Sequence, residues 1–180
     1  MLIECRMEEF IDYIADDPVR PNLFEDNVTR FQGNFRVFAD VEKDLEKQGV
    51  KLTVNAIVCV VICPFLPQSE KQLRSYAVGD LDNLVEDIQD ILDEEDMNAG
   101  QVLCLYSLWS YSKGAGRKLV NELLEAVPVM YPNVNSVVTM SPPTKMAMQF
   151  HTGNGAVLVS PNLETVNYEY EIPNYGIAIH

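Results

Sequence analysis

Between Val102 and Val127 the chain changes character twice with no linker in between, and this contiguity constrains the fold more than any other feature of the sequence. Val102 to Trp109 is an apolar run of strand length, Ser110-Tyr111-Ser112-Lys113-Gly114-Ala115-Gly116-Arg117 follows at once, and a helix is expected from about Arg117 to Val127. A helix N-terminus presents unpaired backbone N–H groups and the positive end of the helix dipole, so a diphosphate can sit there without any charged side chain. Gly114 and Gly116 carry no Cβ that would clash with such a ligand or forbid positive φ, and Lys113 and Arg117 add local positive charge. Tight strand-to-helix connections also use glycine for conformational reasons alone, so the turn by itself marks a candidate phosphate site and no more.

The rest of the chain supplies a sheet for this unit. Val54 to Phe65 is rich in β-branched residues and closed by Pro64 and Pro67, which predicts a buried, central strand. Asn34 to Asp40, Ser136 to Met140, Ala156 to Val159 and Val166 to Ile172 read as further strands. Helices are expected over Met7 to Ala15, ended by Pro18 and Pro21, and over Thr144 to His151, broken by Gly153 and Gly155. Asp80 to Asp96 places Leu81, Leu84, Val85, Ile88, Ile91 and Leu92 on one helical face and acidic side chains on the other. That acidic face is either a solvated surface or a docking site for a basic partner or a cation. Asn98-Ala99-Gly100 ends it, and no repeat or long linker divides the chain, so residues 1–180 are expected to form one domain.

With 47% apolar and 9% aromatic residues the chain has the material for a real core. The formal charge is -14, from 13 Lys and Arg against 27 Asp and Glu, which argues against a broad surface for nucleic-acid phosphates and favours a basic partner if charge selects one. Cys5, Cys59, Cys63 and Cys104 lack the paired spacing of a zinc site, so reduced core thiols and no metal are expected. Glu4, Glu8 and Glu9 contradict the basic start of a signal peptide. The longest apolar stretch, Ala56 to Leu66, is about half the roughly twenty residues of a membrane span. A soluble, cytoplasmic protein is the expectation.

The turn resembles the cofactor signature of the GCN5-related N-acetyltransferases, in which a Gln or Arg precedes Gly-x-Gly or Gly-x-Ala at a helix start. Gly114, Ala115 and Gly116 match, Leu119 and Val120 fall on the sheet-facing side of the helix, and Tyr111 stands at the Gln/Arg position. The family's second segment is similar too: Ala147, Phe150-His151 and Gly155-Ala156 keep its intervals, and Thr144 stands where the family often has Asn. This likeness implies an α+β fold with a mixed, mainly antiparallel sheet flanked by helices, here with the acidic helix inserted before the cofactor strand. It implies binding of acetyl-CoA or coenzyme A through Tyr106, Ser107 and Leu108 at the pantetheine arm and Tyr111, Lys113, Gly114, Ala115, Gly116, Arg117 and Thr144 nearby. It also implies direct attack of an amine on the thioester, with His151 in the place of a tyrosine that protonates the departing thiolate.

Ser141 and His151 further resemble the malonyl-CoA decarboxylase branch of the same fold, where a Ser-Pro ends a strand and a Phe-His-x-x-Asn-Gly-Ala segment follows. Phe150-His151-Thr152-Gly153-Asn154-Gly155-Ala156 fits that wording, although the branch's large insertion and helical domain are missing. The wording is also similar to short phage-encoded acetyltransferase-like proteins. Read without the likeness, His151 is equally a core histidine satisfied by a carbonyl, and Ser141 a plain N-cap for the helix after it. Three functions follow as expectations: acyl transfer from acetyl-CoA to a small-molecule or protein amine, decarboxylation of a malonyl thioester, or a non-catalytic protein that binds a basic partner. None engages a membrane, and a homodimer is compatible with each.

Overall fold

The computed structural model describes residues 1–5, 11–13, 15–18, 34–46, 49–78 and 101–173. Its frame is a seven-stranded sheet of β1 (Leu2–Cys5), β2 (Phe35–Glu46), β3 (Gly49–Cys63), β4 (Gln101–Ser110), β5 (Val134–Ser141), β6 (Val157–Pro161) and β7 (Val166–Tyr170), ordered β1-β2-β3-β4-β5-β7-β6. Neighbours are antiparallel except β4 and β5, which run parallel. A parallel pair needs a crossover, and α2 (Ala115–Met130) provides it. Two other helices, α1 (Glu70–Val78) and α3 (Lys145–Gly153), complete the described elements.

Side chains of a strand alternate between faces, and β3 shows why both sides are covered. Ile57, Cys59, Val61 and Cys63 share a buried cluster with Leu73, Tyr76 and Ala77 of α1. Ala56, Val58 and Val60 share the other with Leu119, Val120, Leu123, Leu124 and Val127 of α2. Each fully buried aliphatic side chain contributes about 1.5–3 kcal/mol. On β2, one strand in from the β1 edge, Asp40, 1% exposed, lies 2.8 Å from the Met1 ammonium and 2.6 Å from Lys118 Nζ. Burial pushes the Asp40 carboxyl up, but Lys118 and the ammonium outweigh it and hold it below its ordinary value.

Two register shifts shape the site. On β3 the ladder with β2 passes from Ala56 to Val54, and the carbonyl of the skipped Asn55 accepts the N–H of Tyr111 at 2.8 Å, pinning the start of the glycine turn. On β4 the ladder with β3 passes from Ser107 to Leu105, leaving Tyr106 as the extra residue of a bulge. Bulges bend a strand and sharpen its twist. The β4–β5 ladder ends at Leu105 and Thr139, although β4 continues to Ser110 and β5 to Ser141. Past that rung the parallel strands part.

The mixed, mainly antiparallel sheet with flanking helices is the expected fold class. The central strand runs Gly49–Cys63 rather than Val54 to Phe65, and the strand expected over Asn34 to Asp40 continues to Glu46. The crossover helix starts at Ala115 and reaches Met130, with Pro128 in its last turn. Of the expected helix Met7 to Ala15, residues 11–13 are helical and most of the remainder lies outside the described residues, as does all of Asp80 to Asp96.

Two elements escaped the sequence reading. β1 is too short for a period, and its Glu4 faces Arg36 of β2 across 3.1 Å. α1 follows Pro67 in a stretch where no element was expected, and Ser69 and Gln72 form its cap: Gln72 N–H donates to Ser69 Oγ at 3.2 Å and Gln72 Oε1 accepts Gln68 N–H at 2.9 Å.

Candidate active site

Where β4 and β5 separate, a cleft of about 280 Å3 opens. Leu105 to Ser110 form one wall, Met140 and Ser141 the other, Ala147, Phe150 and His151 of α3 lie across it, and Gly116 closes the end at α2. Tyr106 is core, its ring edge-on to Phe35 at 6.5 Å. Ser107 is buried and donates to the carboxylate of Asp17, itself 2% exposed, while Leu108 is half-buried.

The glycine turn stays open. Gly114 takes φ +86, a left-handed conformation that favours glycine, and a Cβ there would meet nothing within 4 Å. Among the described residues no side chain caps α2 at Gly114. Ala115 N–H turns back to Ser112 O at 3.2 Å and Lys118 N–H bonds Gly114 O at 3.1 Å. Between them, Gly116 and Arg117 hold first-turn amides that helix geometry leaves without an intrahelical acceptor. Ala115 and Gly116 are buried against the sheet, and Lys113 and Arg117 are exposed. Arg117 Nε donates to Asn154 Oδ1 at 2.6 Å, tying this turn to the end of α3.

Tyr111 does not line the cleft. Its hydroxyl accepts from Trp109 Nε1 at 3.1 Å and donates to Asp16 at 2.9 Å, and its ring meets Tyr13 edge-on at 6.1 Å. It fastens the segment around residues 13–17 to the end of β4. Thr144 sits at the cleft rim, where its hydroxyl accepts Ala147 N–H at 3.1 Å and so caps α3. The cap is therefore Thr144 and not Ser141, the alternative weighed for Ser141 from sequence.

Ser141 instead joins a buried chain of side chains. Its Oγ lies 2.7 Å from His151 Nε2 and 2.8 Å from Thr139 Oγ1, and His151 Nδ1 lies 2.9 Å from Tyr170 Oη. Tyr168 stacks on the imidazole at 5.1 Å, and Phe150 meets it edge-on at 5.2 Å. Burial lowers the His151 pKa to about 4, because a desolvated ring resists charge. The ring is thus neutral at neutral pH, so any proton it gives to a departing thiolate must first reach it from another group. Tyr170, buried as well, is pushed up and stays a phenol.

Thr139, Tyr168, Tyr170 and Asp17 carried no mark in the sequence reading. Thr139 was within reach, since residues two apart on a strand share a face. Tyr170 was not, because it comes beside His151 only through the β5–β7 register that pairs Val137 with Tyr170. Among the described residues no cluster of His, Cys, Asp and Glu is arranged to hold a metal, and no helix is long and apolar enough to cross a membrane.

No protein-family profile matches the chain, and no curated protein matches it in sequence. Solved structures do match in shape. Arabidopsis thaliana NAA60 in complex with acetyl-CoA superposes with a TM-score of 0.54 at 14% identity, over 94% of this chain and 98% of that one. AtaT complexed with acetyl-methionyl-tRNAfMet gives 0.50 at 11% identity, over 94% of each chain. A malonyl-CoA decarboxylase from Agrobacterium vitis gives 0.47 at 15%, over 89% of this chain and 38% of that one. The fold is the one shared by the GCN5-related N-acetyltransferases.

Proposed function

We infer that residues 1–180 form an acyl-CoA-dependent N-acyltransferase domain, with acetyl-CoA as donor and an amine as acceptor. The observation that carries this reading is the cleft between two parted parallel strands, ending at an uncapped helix start whose Gly114 leaves open the space a Cβ would fill. The residues present fit such a donor. Main-chain groups of Tyr106 to Leu108, on a β4 edge that has lost its β5 partner, would hold the pantetheine arm, and the amides of Gly116 and Arg117, with Lys113, would hold the diphosphate. The NAA60 complex with acetyl-CoA, on the same fold, supports the choice of donor.

The bound donor supplies an activated acyl group. A main-chain N–H on the parted edge of β4 would stabilise the oxyanion as the acyl carbon is attacked. Neutral His151 and Ser141 would return a proton to the departing thiolate through their 2.7 Å contact. Calorimetry with coenzyme A tests the reading: micromolar binding to the wild-type protein, weakened at least tenfold by Gly116→Val, is expected. Unchanged affinity in that variant, or no binding at all, overturns it.

The Ser141–His151 contact favours one alternative, a malonyl-CoA decarboxylase in which Ser141 holds the carboxylate and His151 serves the resulting enolate. Incubation with malonyl-CoA, scored for acetyl-CoA, separates the two.

A further inference from the structure

Side chains from β5, α3 and β7 form one chain of contacts through Ser141, which closes β5 beyond the last β4–β5 rung and lines the cleft. Its Oγ is 2.7 Å from His151 Nε2, and the other ring nitrogen is 2.9 Å from Tyr170 Oη. A hydroxyl within reach of a base, with the base oriented by a third group, is the signature of an activated nucleophile on any fold. Thr139 Oγ1, at 2.8 Å, gives Ser141 Oγ a second partner and holds it in place. Stacking on Tyr168 keeps the imidazole from swinging away.

We propose that Ser141 is a covalent acyl carrier: its Oγ takes the acyl group from the coenzyme A thioester before an amine or water receives it. This rests on the coenzyme A reading above and replaces direct attack by the amine. With Nδ1–H donating to Tyr170 Oη, Nε2 faces Ser141 with its lone pair. Oγ attacks the thioester carbonyl carbon as its proton passes to Nε2, the C–S bond breaks, and the thiolate takes that proton. The products are an ester on Ser141 and free thiol. In the second half the amine attacks the ester carbon, its proton passes through Nε2 to Oγ, and the C–O bond breaks to give the amide and Ser141. Water in place of the amine gives the carboxylic acid, a slow thioester hydrolysis that needs no acceptor. Burial keeps the Nε2 lone pair of His151 free of a proton and, although it weakens the ring as a base in the first transfer, makes the protonated ring give its proton up readily.

The full chain is mixed with acetyl-CoA, quenched in acid at short times and weighed intact, with thiol release followed in parallel. One acetyl group per chain, mapped to the Ser141 peptide, and a thiol burst equal to the protein concentration are expected. Ser141→Ala loses both while keeping its coenzyme A affinity. Tyr170 acts through His151 as a positioning residue, so Tyr170→Phe slows acylation about 10²-fold or more with affinity unchanged, an asymmetry that a merely structural role would not give. Tight binding of acetyl-CoA to the wild-type protein with no burst, or with acetyl groups only on other residues, overturns the carrier and leaves the coenzyme A reading standing. Absence of binding overturns both.

Discussion

The two ends of the cleft are built on opposite plans. At the α2 end the site is main chain: Gly114 holds φ +86 with open space where a Cβ would stand, and as the N-cap it offers the first-turn amides no side-chain partner. At the α3 end it is side chain: Thr139, Ser141, His151 and Tyr170 are buried and joined by contacts of 2.7–2.9 Å. The open end suits a group that arrives with its own charge, since amides need only be left unpaired. The filled end suits proton movement, which requires fixed distances and little water. Binding and chemistry should therefore fail separately.

The largest effect is expected at the filled end. His151→Phe should cut acyl transfer about 10²–10⁴-fold in steady-state assays, with coenzyme A affinity by calorimetry within a factor of two. A matching loss of affinity would erase the division between the two ends.

Next in size is an acid effect on stability. The unfolded His151 takes a proton near pH 6.5 and the folded one only at about 4, so falling pH favours the unfolded chain within that window. Denaturation in urea should show up to about 3 kcal/mol lost between those limits. His151→Gln should flatten that slope. Asp40, whose carboxyl is held low, adds its own loss at more acid pH as it protonates.

At the open end the effects are smaller and opposite in kind. Gly114→Val forces a β-branched residue into left-handed backbone and should cost about 1–2 kcal/mol of stability by thermal or chemical melting. Gly116→Ala is the sharper probe. Its added Cβ would meet only Ser110 at 3.8 Å and Leu108 at 3.9 Å, ordinary contacts, so stability should move by less than about 0.5 kcal/mol. Coenzyme A affinity should still fall, less than in Gly116→Val, because the methyl group stands beside the amide. Equal melting and equal affinity would show that nothing approaches that amide.

This division also governs what a reader of the sequence can find. The open end is local in the chain: strand, glycines and helix follow one another, so its chemistry is written in a few consecutive residues. The filled end is written in three places. Ser141 and His151 were legible through a short, contiguous likeness, but Tyr170 becomes their neighbour only when β7 pairs with β5. The Tyr106 bulge is invisible for the same reason, since it exists only as a mismatch between two strands. α1 was different. Its Ser69–Gln72 cap stood in plain view, and the prolines before it drew attention to the turn instead.

The missing rungs between β4 and β5 carry a mechanical consequence. Beyond Leu105 and Thr139 the two halves of the sheet are not stitched to each other by main-chain hydrogen bonds. A guest lying along the bare edge of β4 would work as a splint across that seam. Occupancy should then register as slower amide-proton exchange along both strands, felt well past the atoms the guest touches.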